Sequence, residues 1–408
     1  MTIIGLDDTD ARDAGMCTTY VADRIAREVG ATQLVLLRCN PAVEHKTRGN
    51  AALAVHTTAD PEAAFETACS IVDRVAADSE ETNPGVVVAE TIDDATADFC
   101  RRAVTDHCSR RRARDICRSA GHRHRGFGNG RGVIGALAAV GADRAVEEWT
   151  YERITYRRRE RWGTDREVDP ESVFEAAATA YPTVWDTVDR EAGELVCVPH
   201  TPGPVLYGIR GDDPGACEAV AAEIDSESVA AARTFRTNQG TDAHLRDGSI
   251  RDASDGYSYR LDGTVSEPPE TRRGGHVFFE LDETLQCAAF EPTKRFRDHV
   301  RSLRVGDELT VCGEVSDGTL KLEKFAVRSL RRTELVTPTC PDCGTRMSSA
   351  GRDQGYRCRD CDTAAERVER SIDRDLEIGW YEVPPRARRH IAKPLVRGGF
   401  DLPTHPER

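Results

Sequence analysis

Apolar and polar positions divide the chain into segments of different period. Ile3-Ile4-Gly5-Leu6 is a continuous apolar run that stops at Asp7, which predicts a buried strand. TYVADRIAREV, starting at Thr19, has helical spacing, AALAV after Asn50 is apolar again, and VIGALAAVG after Gly132 is helix-like. From Tyr151 to Asn238 the period alternates. TYERITYRR, ELVCVPH, PVLYGIRG and SVAAARTFRTN read as strands, with helices at ESVFEAAATAY and PGACEAVAAEI. That βαββαβ order predicts a ferredoxin-like sandwich over 148–250. From Tyr257 to Leu330 five short strands follow, with a helix, TKRFRDHVRSL, after the third. This is the order of an OB-fold, a partly open barrel that binds single-stranded nucleic acid, placed at 255–332. Val305-Gly306-Asp307 reads as the turn into its fourth strand. The whole reads as an α+β multidomain chain, and 408 residues agree with two to four domains at roughly 150 each.

Cysteine spacing adds one more unit. Cys340, Cys343, Cys358 and Cys361 form CPDC-x14-CRDC, two knuckles with room for a hairpin between them. Such a set closes a tetrahedral structural zinc site, so a zinc ribbon is expected over 336–366. A redox pair would not explain two knuckles. Cys108, Cys117, His122 and His124 lack a knuckle and read as ordinary residues. The segment 367–408 is left as a basic C-terminal tail.

Charge changes the picture twice. The formal net charge is -14, which by itself argues against a nucleic-acid partner. Lys46, Lys294, Lys321, Lys324 and Lys393 are the only lysines among 56 basic residues. Abundant acids and scarce lysine suit a cytosol of molar salt, where the Debye length is about 3 Å, and a halophilic source is expected. A genome rich in G and C is the plainer explanation of the arginine preference. Yet Arg101–Arg131 holds ten arginines against Asp106 and Asp115, a local net of +8. Either it is a solvated helix face or it meets phosphates. No apolar stretch approaches a membrane span, and the acidic N-terminus does not read as a secretory signal, so a cytoplasmic location is expected.

Candidate chemistry gathers at the start. Asp7, Asp8 and Asp10 end the first strand, and three carboxylates there repel unless a cation such as Mg²⁺ sits among them. Gly15 permits a tight turn, and Thr18 or Thr19 opens the following helix, whose free N–H groups favour phosphate. The bland alternative is an acidic turn followed by a threonine cap. No Walker motif is present. Lys46, Arg48 and Asn50, then Gly128, Asn129, Gly130 and Arg131, form two further polar or glycine-rich segments suited to anions. Thr237-Asn238-Gln239-Gly240-Thr241-Asp242 follows a strand and could be a ligand loop.

GLDDTD with GMCTTY, then KTRGN, GNGRG, RTNQGTD, the CPDC…CRDC ribbon and PPRARRH together resemble the archaeal isoleucine-tRNA 2-agmatinylcytidine synthetases over nearly the whole chain. The resemblance implies a kinase-like domain over 1–147 and an ATP-dependent ligase joining agmatine to C2 of the wobble cytidine of a minor isoleucine tRNA, so that it reads AUA rather than AUG. It implies that ATP is split to AMP, that the cytidine C2 oxygen is phosphorylated, and that agmatine displaces the phosphate. Thr18 then falls on the family's autophosphorylated threonine, with Asp7, Asp8 and Asp10 as its metal- and phosphate-binding carboxylates. Expected cofactors are ATP, Mg²⁺ on Asp7 and Asp8, and zinc on the four ribbon cysteines. Expected partners are the tRNA and agmatine, with no membrane and no obligate protein partner. The agmatine guanidinium calls for a carboxylate, for which Asp242 is the choice beside Asn238, Gln239 and Thr241. The OB-fold, ribbon and tail are expected to hold the tRNA. A Mg²⁺-dependent phosphoesterase and a noncatalytic single-strand-binding protein remain the alternatives.

Overall fold

A computed structural model describes residues 1–11, 15–44, 46, 49–352 and 354–408. The first apolar run is strand β1 (Thr2–Asp7). After it come α1 (Thr18–Val29), β2 (Gln33–Arg38), β3 (Ala51–Thr57), α2 (Pro61–Val75) and β4 (Gly85–Ala89). Then follow α3 (Asp94–Thr105), α4 (Arg110–Ser119), β5 (Arg123–Gly126) and α5 (Val133–Ala145). The strands run β5-β4-β1-β3-β2, each antiparallel to its neighbour. The inner strands β4, β1, β3 and the middle of β2 are largely apolar because helices cover both faces, whereas the edge strand β5 is polar. Ile4, Leu6 and Val55 pack with Val21 and Ile25 of α1 and Val72 of α2. Ile3, Val35 and Leu37 pack with Phe99 of α3 and Leu137 and Val140 of α5. Helix α5 presses hard on this face: a Cβ at Gly5 would lie 2.0 Å from the Ala136 carbonyl oxygen.

The sheet does not stop at β2. The next elements are β6 (Thr150–Arg157), α6 (Pro170–Ala180), β7 (Val184–Trp185), β8 (Val188–Asp189), β9 (Glu194–Leu195), β10 (Val205–Gly211), α7 (Pro214–Glu223) and β11 (Val229–Thr237). They add β11-β6-β10-β7, and β11 joins β2 in parallel at Arg236↔Val35 and Thr237↔Leu36. The first two units therefore share one nine-stranded sheet. One expected strand is corrected. ELVCVPH pairs only at Glu194–Leu195, with β8, and the second strand of this unit is the two-residue β7. Pro199, Pro202 and Pro204 explain the difference, since proline cannot donate to a ladder.

After β12 (Leu245–Asp247), a five-stranded barrel is built from β13 (Tyr257–Thr271), β14 (Val277–Leu281), β15 (Leu285–Ala289), β16 (Glu308–Ser316) and β17 (Thr319–Ser329). Strand β16 pairs with both β13 and β17, and β15 pairs in parallel with β17, which closes the ring. Helix α8 (Phe296–Arg301) plugs it through Phe296 and Val300, which pack with Leu309, Val311 and Phe325.

The cysteine-rich unit projects on a stalk of β18 (Thr333–Val336) paired with β22 (Val368–Ser371), and carries β19 (Ser348–Ser349), β20 (Tyr356–Arg357) and β21 (Ala364–Ala365). The stalk takes up Val368–Ser371, which the sequence assigned to the tail. Its base is clamped by buried Asp307, whose carboxylate receives Arg374 Nη1 at 2.8 Å and Nη2 at 2.6 Å, and the amides of Arg304 and Arg331, each at 2.8 Å. The remaining tail is not a free basic arm. Strand β23 (Gly379–Glu382) pairs with β17, and β24 (Thr404–His405) pairs with β23. Arg388 is buried against Glu382 at 2.8 Å and against Asp186. These arginines spend their charge inside the fold.

Removing one partner of a buried ion pair strands the other charge. Asp307→Ala is therefore expected to lower the unfolding free energy by about 3–5 kcal/mol. Denaturant titration at constant KCl measures it, and a wild-type midpoint would show that the clamp carries no stability.

Candidate active site

A cavity of about 1200 Å³ opens at the end of the sheet. Its lining includes the turn after β1, the start of α1, the segment between β2 and β3, the loop before α5, the irregular stretch after β9 and the C-terminal tail. Asp7, Asp8, Asp10, Thr18, Thr19, Lys46, Asn50, Asn129 and Arg131 line it. Arg48 lies outside the described residues. Gly15, Gly128 and Gly130 have φ of 70°, 55° and 71° and shape the turns without lining the cavity.

Strand β1 carries its carboxylates to the end of the sheet, where the chain turns through Asp8 at φ 58°. Arg131 reaches across and holds Asp8, Nε to Oδ2 at 2.6 Å and Nη2 to Oδ1 at 3.3 Å. The Asn83 amide donates to the same Oδ2 at 3.2 Å. Asn83 Oδ1 in turn accepts the Asn129 amide at 2.8 Å, and Asn129 Oδ1 accepts the Arg131 amide at 2.9 Å. The turn and the glycine-rich loop are thus one hydrogen-bonded unit. Burial, with Asp8 and Asp10 nearby, pushes the Asp7 carboxyl well above the usual carboxylate range. Asp8 is also raised by burial, with Arg131 opposing.

Helix α1 begins without a side-chain cap and with no acid in its first turn. Its leading N–H groups are open to an anion. The Thr18 hydroxyl donates to Asp10 Oδ1 at 3.4 Å, so the hydroxyl and the carboxylate face one another. Among the described residues, three or more ligand atoms within 4.8 Å of one another occur only at the ribbon cysteines, so Asp7, Asp8 and Asp10 do not form a closed cage. Mg²⁺ needs only one or two carboxylates when phosphate oxygens supply the rest. The crowding of the buried Asp7 carboxyl by Asp8 and Asp10 fits a cation arriving with a phosphate.

The opposite wall was not foreseen from the sequence. Arg38 ends the apolar β2 and is buried, and Glu152 lies on β6. Arg210 of β10 donates to Glu152 at 3.1 Å, Arg38 stands 4.0 Å from it, and Gln239 Nε2 donates to it at 2.5 Å. His390 of the tail also lines the cavity, and Arg210, burial and Arg38 push its imidazole pKa well below the usual histidine range. The available signals were a charge closing a buried strand and an acid inside one.

The side chains of the loop Asn238–Asp242 are engaged within the fold. None of Asn238, Gln239, Thr241 or Asp242 lines the cavity. The Asn238 side chain bonds the Arg38 backbone, accepting its N–H at 2.7 Å and donating to its carbonyl at 3.0 Å. Gln239 Oε1 receives Arg38 Nε at 3.0 Å and Nη2 at 2.7 Å. Thr241 bonds the Asn238 carbonyl at 2.7 Å. Asp242 is paired with Lys324 at 2.6 Å and accepts the Lys393 amide at 2.7 Å.

In the ribbon, the amides of Cys340 and Cys358 donate to the carbonyls of Thr345 and Thr363 at 2.8 and 2.9 Å, so both knuckles close alike. Gly344 and Asp362, each following a CxxC pair, have φ of 74° and 57°. Cys343 Sγ is 3.5 Å from Cys358 Sγ. Zinc–sulfur bonds of about 2.3 Å fit that spacing, so Cys340, Cys343, Cys358 and Cys361 are the residues that would hold zinc.

Family models described as the TiaS TCKD domain, the TiaS FLD domain and the TiaS C-terminal zinc ribbon domain match residues 3–60, 130–244 and 337–376. The chain is 52% identical over 462 aligned residues, covering 100% of both, to the isoleucine-2 tRNA 2-agmatinylcytidine synthetase TiaS of Haloquadratum walsbyi. It is 42% identical to that of Archaeoglobus fulgidus, covering 97% of each. Among solved structures, a complex of TiaS with isoleucine-2 tRNA and ATP aligns with a TM-score of 0.89 and 39% identity, over 100% of this chain and 99% of that one. A complex of TiaS with the same tRNA, AMPCPP and agmatine aligns at 0.87 and 37%, with the same coverage.

A Cβ at Gly135 of α5 would lie 2.1 Å from Asp7 Oδ2. Gly→Ala inside a helix ordinarily stabilises by about 1 kcal/mol. Here Gly135→Ala has to displace the carboxylate, and affinity for an ATP analogue measured by calorimetry is expected to fall about tenfold or more, a loss of ~1.4 kcal/mol. Unchanged affinity would remove Asp7 from the site.

Proposed function

The chain belongs to the isoleucine-tRNA 2-agmatinylcytidine synthetase family, and from that membership we propose that it uses ATP to join agmatine to C2 of the wobble cytidine of a minor isoleucine tRNA, which then reads AUA. One observation carries this reading to particular residues: the carboxylate turn and the uncapped amino end of α1 open into one cavity.

A cytosine carbonyl is a poor electrophile. Phosphorylating its C2 oxygen turns that oxygen into a leaving group, and the primary amine of agmatine can then form the C2–N bond as the C2–O bond breaks and phosphate departs. Catalysis of phosphoryl transfer is mostly positioning and charge stabilisation. In this chain the α1 N–H groups with Thr18 and Thr19 would seat phosphate, and Lys46, Asn50, Asn129 and Arg131, which line the same cavity, would surround it. Mg²⁺, when bound at Asp7 and Asp8, would neutralise part of the phosphate charge. Thr18, facing Asp10, is poised as the phosphoryl acceptor that the family resemblance implies.

The wobble base has to leave its stack to reach this depth. The five-stranded barrel has the strand order of an OB-fold, and with the ribbon it is the surface we assign to the tRNA. The tail instead contributes Pro385, Arg386 and His390 to the cavity wall. Asp242 is paired with Lys324. Outside the first turn the carboxylates lining the cavity are Glu44 and Asp106, with Glu152 held by Arg210 and Gln239 and Glu194 by Arg386. Among these we look for the partner of the agmatine guanidinium. No helix among the described residues is long and apolar enough to cross a membrane.

Mass spectrometry of the wobble nucleoside after incubation with ATP, Mg²⁺, agmatine and molar KCl tests the reaction. The agmatine adduct is expected, and Thr18→Ala should not form it. Product formed without ATP, or RNA cleavage in place of conjugation, would overturn the ligase. Asp242→Asn strands the Lys324 ammonium and should cost about 3–5 kcal/mol of stability, while the agmatine KM of the folded enzyme stays at the wild-type value. A raised KM with unchanged stability would return Asp242 to the ligand site.

A further inference from the structure

Helix α4 is the most basic element of an acidic protein. Its inward side is small and apolar, with Ala113, Ile116 and Cys117 buried. The rest of its surface is dominated by charge: Arg110, Arg111, Arg112, Arg114 and Arg118 are all exposed, and Asp115 is its one acid. Asp115 lies within reach of two of these arginines, 3.9 Å from Arg111 and 2.5 Å from Arg118. One carboxylate cannot neutralise five guanidinium groups. Arg111 keeps 93% of its side chain in solvent.

The helix is also well placed. Arg110 lines the cavity rim and donates to the carbonyl of Asn129, in the loop whose Arg131 holds Asp8. A Cβ at Gly130 would meet Arg114 Nη2 at 2.7 Å, so Arg114 overlies the same loop. Arg110, Arg114 and Arg118 stand four residues apart on one face, each about 5–6 Å from the next at Cβ. They form a row leading away from the cavity mouth, along a helix about 15 Å long.

Resting on the reading that the cavity receives the wobble base, we propose that this arginine row is the seat of the phosphodiester backbone flanking that base. The chemistry favours arginine for the task. In molar salt a point charge is screened within about 3 Å, so long-range attraction and counterion release contribute little. A guanidinium still holds phosphate there through two directed hydrogen bonds. An exposed basic strip is otherwise out of keeping with a surface that holds water through carboxylates. RNA approaching this acidic protein meets its complement here, next to the opening that takes the base.

The test uses the full-length enzyme with Arg114→Gln and Arg118→Gln combined, which removes two of the three members of the row and leaves the cavity-lining Arg110 in place. The substrates are the complete tRNA, ATP and agmatine at a KCl concentration where circular dichroism shows a native fold. The expected result is a rise of about tenfold or more in the tRNA KM and in the dissociation constant from anisotropy, with the agmatine KM unchanged. A wild-type tRNA KM in the double variant would overturn the proposal, as would an equal rise in the agmatine KM, which would mean that the helix supports the cavity and not the RNA. Failure of the wild-type enzyme to form the adduct would instead strike the proposed function, so the two failures are distinguishable. Arg118→Gln alone, at an exposed position of the row, should shift the tRNA KM in the same direction by a smaller factor.

Discussion

The architecture hangs on a short polar knot, Asn238 to Asp242. Asn238 pairs with the backbone of Arg38 as a neighbouring strand would, Gln239 bridges Arg38 to Glu152, and Asp242 binds the barrel through Lys324 and the tail through the Lys393 amide. One loop thereby fixes the relative positions of the N-terminal sheet, the barrel and the C-terminal segment. Its groups are buried, and a buried polar group without a partner is costly, so the alternatives to this arrangement are disfavoured together. The cavity lies among the elements tied at this point, and its shape is a consequence of the knot.

That dependence explains which features were legible in the sequence. The ribbon was, because four cysteines at fixed spacing carry their partners within a short stretch of chain. The acidic turn and the glycine-rich loop were each visible, although only the fold joins Asp8 to Arg131. The barrel strands were visible from alternation. The role of Asn238–Asp242 was not, because polar side chains after a strand look alike whether they await a ligand or a lysine far along the chain. ELVCVPH looked like a strand from its apolar residues, but the prolines in and beyond it deny the segment a ladder. The tail looked like an RNA-binding arm from its arginines, and their acids, Asp186 and Glu382, were not adjacent in sequence.

Arginine serves two opposite purposes in this protein. Inside, Arg374 and Arg388 are planar donors that satisfy several acceptors at once, a use for which lysine is poorly shaped. On α4 the same side chain stands in solvent in a row. Net charge averages the two uses and conceals both. A protein at -14 can present a strongly cationic strip, because charge opposes binding only where it is close enough to be felt through the salt.

The parallel pairing of β11 with β2 has a consequence for how the chain can be divided. A fragment ending near residue 147 would look complete by sequence, with its strands, helices and candidate phosphate site present. It would nonetheless expose the flank of β2, an apolar edge whose free N–H and C=O groups invite another chain. The converse fragment would lose the strand beside β11. The natural unit of folding is thus the continuous sheet, and the seam between the two matched regions runs through hydrogen bonds and not through a linker.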